Sequence, residues 1–203
     1  FEMAEQVEKL VKVYKNTKVD AQMLKDADVD AVILAIGSSP ITIKLEGMDK
    51  LQHASAPEVL RHEVCPKGKV AVIGGGLVGL ETADTLATDG CDVTVLEMKD
   101  EIGSDLGSLR KIAVMMKLQQ MQVKMLPNSK VCKFTEEGIV LEDETLVPCN
   151  CAVFAVGFAS NDSHLLVEEC EKRQIPCRVI GDAKSARRAL DAIAEGFEAA
   201  RTL

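Results

Sequence analysis

Residues 70–79 read Val-Ala-Val-Ile-Gly-Gly-Gly-Leu-Val-Gly, and the next apolar run, Cys91 to Leu96 (CDVTVL), is closed by Glu97. Val70 to Ile73 has the length and branching of a short buried strand, and Leu77 to Ala87 has the spacing of a helix. Between them Gly74, Gly76 and Gly79 fill a G-x-G-x-x-G frame. Gly74 permits the tight strand-to-helix turn, Gly76 lets a phosphate approach the backbone, and Gly79 lets the helix lie close on the strand. With Gly75, Leu77 and Val78 these residues present the unpaired N–H groups and partial positive charge of a helix N-terminus, which suit a pyrophosphate. Glu97 lies eighteen residues past Gly79, near the offset of about 20 expected for a ribose-binding acid. A carboxylate there accepts hydrogen bonds from both ribose hydroxyls and repels a 2′-phosphate, so NADH is expected over NADPH. Lys99, two residues on, weakens that preference. A bare glycine frame also arises at bulges and structural loops, and an acid at a strand end is often only solvated. Strand, turn, helix and acid-tipped second strand in sequence favour the dinucleotide reading.

The bulk composition narrows the partners. With 203 residues, 47% hydrophobic and 28% charged, the chain can build one domain or two small ones. Its net charge of −8 comes from scattered acids; no basic stripe exists to neutralise phosphates, which argues against nucleic acid or an anionic membrane as partner. One Tyr and no Trp leave no stacking platform for bases. No apolar run reaches the ~18 residues of a membrane span, and no basic, apolar, small-residue leader is visible. The start, Phe1-Glu2-Met3, falls inside a helical pattern, so a fragment of a longer or processed chain is expected. The seven cysteines are odd in number and irregularly spaced, which fits free thiols in a reducing cytoplasm better than a secreted disulfide framework. Cys149 and Cys151, if on one strand, share a face; Cys170 is the first choice for a reactive thiol. No C-x-x-C occurs, so no zinc or iron–sulfur nest is expected. His53, His62 and His164 show no nucleophile or carboxylate arrangement, and surface or loop roles are expected for them.

Around the glycine turn, apolar spacing predicts a helix over 2–15, a short strand and turn over 19–24, and a buried strand over 29–36 stopped by Gly-Ser-Ser-Pro. Residues 41–55 read as irregular, and Ala56-Pro57 opens a short helix over 58–62. A polar loop spans 98–107, and a helix follows over 109–120 whose Ile112, Met115, Met116 and Leu118 read as plastic core packing. Short strands at 123–126, 130–134, 139–141 and 146–147 suggest an antiparallel meander laid across the sheet. Asn150 to Val156 is a second buried strand; a helix over 161–172, a strand over 178–182 and a last helix over 185–201 complete the chain. The runs ending Ala35-Ile36-Gly37 and Ala155-Val156-Gly157 have the same form and bracket the nucleotide unit, as where a chain leaves one domain, makes an inserted one and returns. The fold class expected is α/β: a Rossmann-like parallel sheet with a small antiparallel meander, inserted into a second, partial α/β domain. The boundaries expected are 1–63, 64–157 and 158–203.

The order AIGSSP, VAVIGGGLVGLETA with VTVLEM, VFAVGF, then VIGDA with AIAEGFEAA resembles a pyridine nucleotide-disulfide oxidoreductase fold. Within it the likeness is to the C-terminal part of 2-enoate reductases and NADH:flavin oxidoreductases related to dienoyl-CoA reductase, over nearly the whole chain. The resemblance implies an oxidoreductase in which Gly74, Gly76, Gly79 and Glu97 bind NADH. Ala35, Gly37 and Gly157 would lie at the crossing segments near FAD, and Asp182 of Gly181-Asp182 would bond the FAD ribityl chain, with Ala194 and Gly196 near the flavin. It also implies an upstream FAD-binding glycine motif and an N-terminal barrel with FMN and an iron–sulfur cluster, none of which this sequence contains; turnover is expected of the parent protein, not of this chain alone. Hydride passing from nicotinamide to flavin asks no protein acid or base, so no catalytic side chain is expected. Asp182 also reads as an ordinary turn residue, and Arg187 and Arg188 as phosphate contacts or a charged helix face. Two other functions stay open: a non-catalytic dinucleotide-binding module with a redox-sensing or regulatory role, and an interaction domain that keeps the fold without the ligand.

Overall fold

The computed structural model of the chain describes residues 2–203. In order come α1 (Glu2–Leu10), α2 (Ala21–Asp26), β1 (Val32–Leu34), β2 (Ser38–Pro40), β3 (Gln52–Ser55), α3 (Ala56–Leu60), β4 (Lys69–Ile73), α4 (Leu77–Thr88) and β5 (Asp92–Leu96). Then follow α5 (Ser108–Gln120), β6 (Lys124–Leu126), β7 (Val131–Thr135), β8 (Gly138–Leu141), β9 (Leu146–Pro148), β10 (Cys151–Phe154), β11 (Phe158–Ser160), α6 (His164–Lys172), β12 (Cys177–Val179) and α7 (Ala189–Thr202). Two compact units result: Ser39–Ala159, and Phe1–Ser38 with Ser160–Leu203.

The larger unit is built on a five-stranded sheet in the order β3-β10-β4-β5-β6, with every pair parallel. Successive side chains of a strand point to opposite faces, and both faces here are covered. Val70, Val72, Val93, Val95 and Val153 pack with Val59 of α3, Leu80, Ala83 and Leu86 of α4 and Leu118 of α5. Ala71, Ile73, Leu96, Ala152 and Phe154 pack with Phe134, Ile139, Leu141 and Val147 of the antiparallel sheet β7-β8-β9. Burial on both faces is why these strands are continuous apolar runs. Each fully buried Leu, Ile or Phe contributes roughly 1.5–3 kcal/mol. Helix α3 starts on a capping box in which Glu58 accepts the Ser55 N–H at 2.7 Å. Strands β2 and β11, where the chain enters and leaves the unit, pair with each other.

Several expectations are corrected here. Residues 52–55, expected to be irregular, form β3 on the edge of the parallel sheet, in register with β10 from Gln52 to Ser55. Residues 39–63 thereby pack in the unit that holds the glycine turn. Lys124 to Leu126 is not part of the meander but the fifth parallel strand, paired with Thr94 to Leu96. The intervening α5 supplies the crossover a parallel pairing needs, and a three-residue strand carries no sign of its direction. On α5 itself Leu118 is fully buried and Met115 partly so, but Leu109, Ile112 and Met116 are 86%, 58% and 56% exposed, so much of its apolar face is at the surface.

In the smaller unit β1 and β12 form a parallel two-stranded sheet, Val32 opposite Cys177 and Leu34 opposite Val179. Only Leu34 of β1 is buried, and Ile33 is 39% exposed, so this strand is not enclosed as its run of branched residues predicts. Residues 19–24 are expected as strand and turn, but Ala21–Asp26 is helix α2, because the Asp20 carboxylate caps it by accepting the Met23 N–H at 2.8 Å. The guanidinium of Arg173, at the end of α6, bonds the carbonyls of Leu24 and Ala27 and ties α2 to α6. Helix α1 stops at Leu10, five residues short of the expected end.

Candidate functional site

Strand β4 ends at Ile73, and the chain turns into α4 through Gly74, Gly75 and Gly76. Gly74 has φ +110°, and a Cβ there would stand 2.4 Å from the carbonyl oxygen of Ala155, so both conformation and space demand glycine. A Cβ on Gly79 would lie 1.9 Å from the Gly74 carbonyl oxygen, which shows how closely α4 sits on the turn that feeds it. Gly76 caps α4 with no side-chain hydrogen bond of its own. The turn is a rigid piece of backbone: the Gly74 N–H bonds the Leu96 carbonyl at 2.8 Å, and the Gly75 carbonyl accepts the Gly103 N–H at 2.7 Å.

Glu97, at the tip of β5, is only 9% exposed. One carboxylate oxygen accepts the Gly75 N–H at 2.7 Å and the other accepts the Lys99 N–H at 2.9 Å. The acid therefore clamps the glycine turn and the outgoing loop together. Each oxygen retains a second lone pair for a hydroxyl donor. Glu97 and the turn share a cavity of about 510 Å³, lined also by Leu77, Val78, Lys99 and Gly157. It is lined as well by Ile43, Leu45, Ser129, Lys130 and Val131, which carry no pattern that marks them in the sequence. Val131 reaches the cavity from β7, and Ser129 is brought there by its N–H bond to the Glu97 carbonyl at 2.7 Å.

Asp105 was hidden in the polar loop and is the main site residue missed. Its carboxylate accepts the Leu77 N–H with both oxygens, at 3.1 and 2.9 Å. A Cβ on Gly76 would fall 3.1 Å from the Asp105 carboxylate. The space above Gly76, read from sequence as room for a phosphate, is thus next to an acid of the chain itself.

Of the residues singled out by sequence, Gly157 joins the glycine turn and Glu97 at this cavity, and its carbonyl accepts the Ile41 N–H at 3.0 Å. Ala35, Gly37, Gly181 and Asp182 belong to the smaller unit. There the Asp182 carboxylate accepts the Ser38 hydroxyl at 3.1 Å and the Arg187 N–H at 3.3 Å. Ser160 donates its hydroxyl to the Asp182 carbonyl at 2.7 Å, and Gly37 accepts the Asn161 N–H at 3.0 Å. The Gly181 N–H is held by Glu195 of α7 at 2.7 Å. Arg187 also pairs with Glu195, at 2.5 Å, and this guanidinium is the first cause that holds the Glu195 carboxyl down at about 2.

The remaining polar candidates are peripheral. Cys170, the first choice for a reactive thiol, is fully buried on α6, so the expectation fails on access. Cys149 packs under the meander and Cys151 under the helices. They do not share a face because β10 begins only at Cys151; burial pushes both thiols up to about 11. His53 meets Phe154 edge-on at 6.0 Å, and His62 and His164 are exposed beside Asp89 and Glu168. Among the described residues no group of three or more His, Cys, Asp or Glu could hold a metal ion, and no helix is long and apolar enough to cross a membrane.

Comparison with known proteins agrees with this architecture. Bilirubin reductase of Mediterraneibacter gnavus is 36% identical over 191 residues, covering 91% of this chain and 29% of that protein. Cinnamate reductase of Clostridium sporogenes is 34% identical over 201 residues, covering 95% of this chain and 29% of that protein. The structure of a 2-naphthoyl-CoA reductase superposes on 98% of this chain and 31% of its own with a TM-score of 0.85 at 24% identity, a likeness of fold. The chain spans about 30% of the length of these relatives. Residues 2–183 match the sequence profile of a family that implies FAD and a nicotinamide dinucleotide as ligands: the chain belongs to the pyridine nucleotide-disulphide oxidoreductases.

Proposed function

We propose that the unit Ser39–Ala159 binds NADH and presents it for hydride transfer to FAD within a longer flavin oxidoreductase. The observation that carries this reading is the shared cavity: the helix N-terminus at Gly76 and Leu77 and the buried Glu97 carboxylate open onto the same space of about 510 Å³. An anion-binding terminus and a hydroxyl-binding acid in one cavity match the diphosphate and the adjoining ribose hydroxyls of an adenosine diphosphate. Gly76, Leu77, Val78 and Gly79 would hold the pyrophosphate, and Glu97 the adenosine ribose. Gly74 and Gly75 shape the turn beneath them, their own N–H groups being bonded to Leu96 and Glu97. The chemistry supplied is hydride delivery from the nicotinamide, for which the protein positions the ligand and excludes water. Ala35, Gly37, Gly157, Gly181 and Asp182 are proposed to lie at FAD in the parent protein; the fixed Gly181-Asp182 turn fits a site that must be rigid before its ligand arrives.

In the parent protein we assign the electrons to an N-terminal barrel with FMN and an iron–sulfur cluster, and the reduction to an enoate-type substrate. The relatives' names, bilirubin reductase and cinnamate reductase, support that class of acceptor. Fluorescence titration of the chain with NADH and NADPH tests the proposal: saturable NADH binding is expected, and none at millimolar NADH would sink it. Glu97→Arg should move the ratio of the NADH and NADPH dissociation constants about 100-fold toward NADPH, since it exchanges repulsion of a 2′-phosphate for a charge-assisted bond. An unchanged ratio would reject the role given to Glu97.

A further inference from the structure

We infer that Asp105 occupies the pyrophosphate position as an internal anion, and that it must leave the start of α4 before a dinucleotide can bind. This regulates the site proposed above and rests on that reading. The Leu77 N–H is one of the donors that open α4, and both Asp105 oxygens already take it, at 3.1 and 2.9 Å. The carboxylate stands beside the Gly76 Cα, where an absent Cβ would come within 3.1 Å of it. It lines the same cavity as Gly74, Gly76, Leu77 and Glu97. A helix N-terminus gains from any anion placed there, and the chain supplies its own from 28 positions away.

The two anions cannot share that place. The pyrophosphate needs the Leu77 N–H that Asp105 holds, and a carboxylate left within hydrogen-bond distance of it would face two phosphate charges across a few ångströms. The loop is built for a local exchange. Its inner part is fixed, with Ile102 6% exposed and the Gly103 N–H on the Gly75 carbonyl at 2.7 Å. Asp105 itself is exposed and lies between Gly103 and Gly107, so its side chain can turn outward to water while the clamp at Gly75 stays. The net affinity for a dinucleotide is then the intrinsic affinity multiplied by the fraction of molecules in which the helix terminus is free.

The test uses the chain as it exists. Wild type, Asp105→Asn and Asp105→Ala are titrated with NADH, and their unliganded thermal unfolding is recorded. Losing the cap should lower the unliganded unfolding temperature of Asp105→Ala by a few degrees. The same variant should bind NADH about tenfold more tightly, with Asp105→Asn between it and wild type, since it keeps the acceptor without the charge. A structural cap alone would lower the unfolding temperature and leave affinity unchanged or weaker; saturable wild-type binding with no tightening in either variant overturns the role of Asp105 and leaves the NADH site standing. No binding by any of the three overturns both. If Asp105→Ala does not fold, the near-isosteric Asn variant decides by the same comparison.

Discussion

The two units of this chain treat the same apolar material differently. In the larger one, β4, β5 and β10 lie inside a five-stranded sheet with helices on one face and the meander on the other, and Val72, Val95 and Val153 are wholly buried. In the smaller one, two strands pair alone, and the helices keep apolar residues at the surface: Leu190, Ile193 and Phe197 on α7 are 76%, 68% and 70% exposed. A two-stranded sheet has little surface on which to bury its helices. Each unit nonetheless follows a strand with a glycine turn and places an acid beside it, Glu97 in one and Asp182 in the other. The contrast separates a cradle held by a closed core from a turn held by polar bonds to Ser38, Ser160 and Glu195. The first turn is fixed by packing around it; the second is fixed by hydrogen bonds and the Arg187–Glu195 ion pair.

That comparison can be broken by substitution. The largest effect is expected for Gly79→Ala, whose methyl must displace the Gly74 carbonyl oxygen from 1.9 Å; a loss of about 3 kcal/mol in urea unfolding of the larger unit follows from overpacking, and an unchanged midpoint would show the cradle to be soft. A smaller effect, confined to the smaller unit, is expected for Glu195→Gln. The folded Glu195 carboxyl lies at about 2, held down by the Arg187 guanidinium and then by the Gly181 N–H. Its contribution is therefore complete above the ordinary carboxylate range and disappears as pH falls toward 2. Glu195→Gln should speed amide exchange in β12 and α7 at pH 7 and remove the acid dependence of that exchange between the ordinary range and 2. Equal acid dependence in both proteins would deny charge its part. The smallest effect is expected for Phe197→Ser, within about 0.5 kcal/mol of wild type by chemical unfolding, since the ring is already in solvent. A loss beyond about 2 kcal/mol would mean that α7 has buried partners and that the contrast between units is false.

Much of the larger unit was legible because its signals are local. A run of branched residues, three glycines at fixed intervals and an acid at the end of the next run each state a backbone requirement within a few residues. The strands that escaped did so for a physical reason. Residues 52–55 (Gln-His-Ala-Ser) have a weak apolar pattern and become β3 only because β10 offers a free edge. Residues 124–126 are too short to show whether they run parallel or antiparallel, and the crossover through α5 decides it. In the smaller unit the branched run over 29–36 predicts a strand buried on both faces, yet only Leu34 of β1 is buried, because a run of apolar residues records what can be covered and not whether anything covers it.

By itself the sequence determined the strand–glycine–helix turn, the acid that closes β5 and the alternation of helices with buried strands. These follow from steric and hydrogen-bonding demands between near neighbours. Only the tertiary structure decided that Glu97 spends its carboxylate on the Gly75 and Lys99 amides, that Gly157 and the meander wall share its cavity, and that Asp105 reaches Leu77. Those contacts join residues brought together by sheet pairing and packing, and an isolated acid in a polar loop has no sequence pattern to show which helix terminus it will meet.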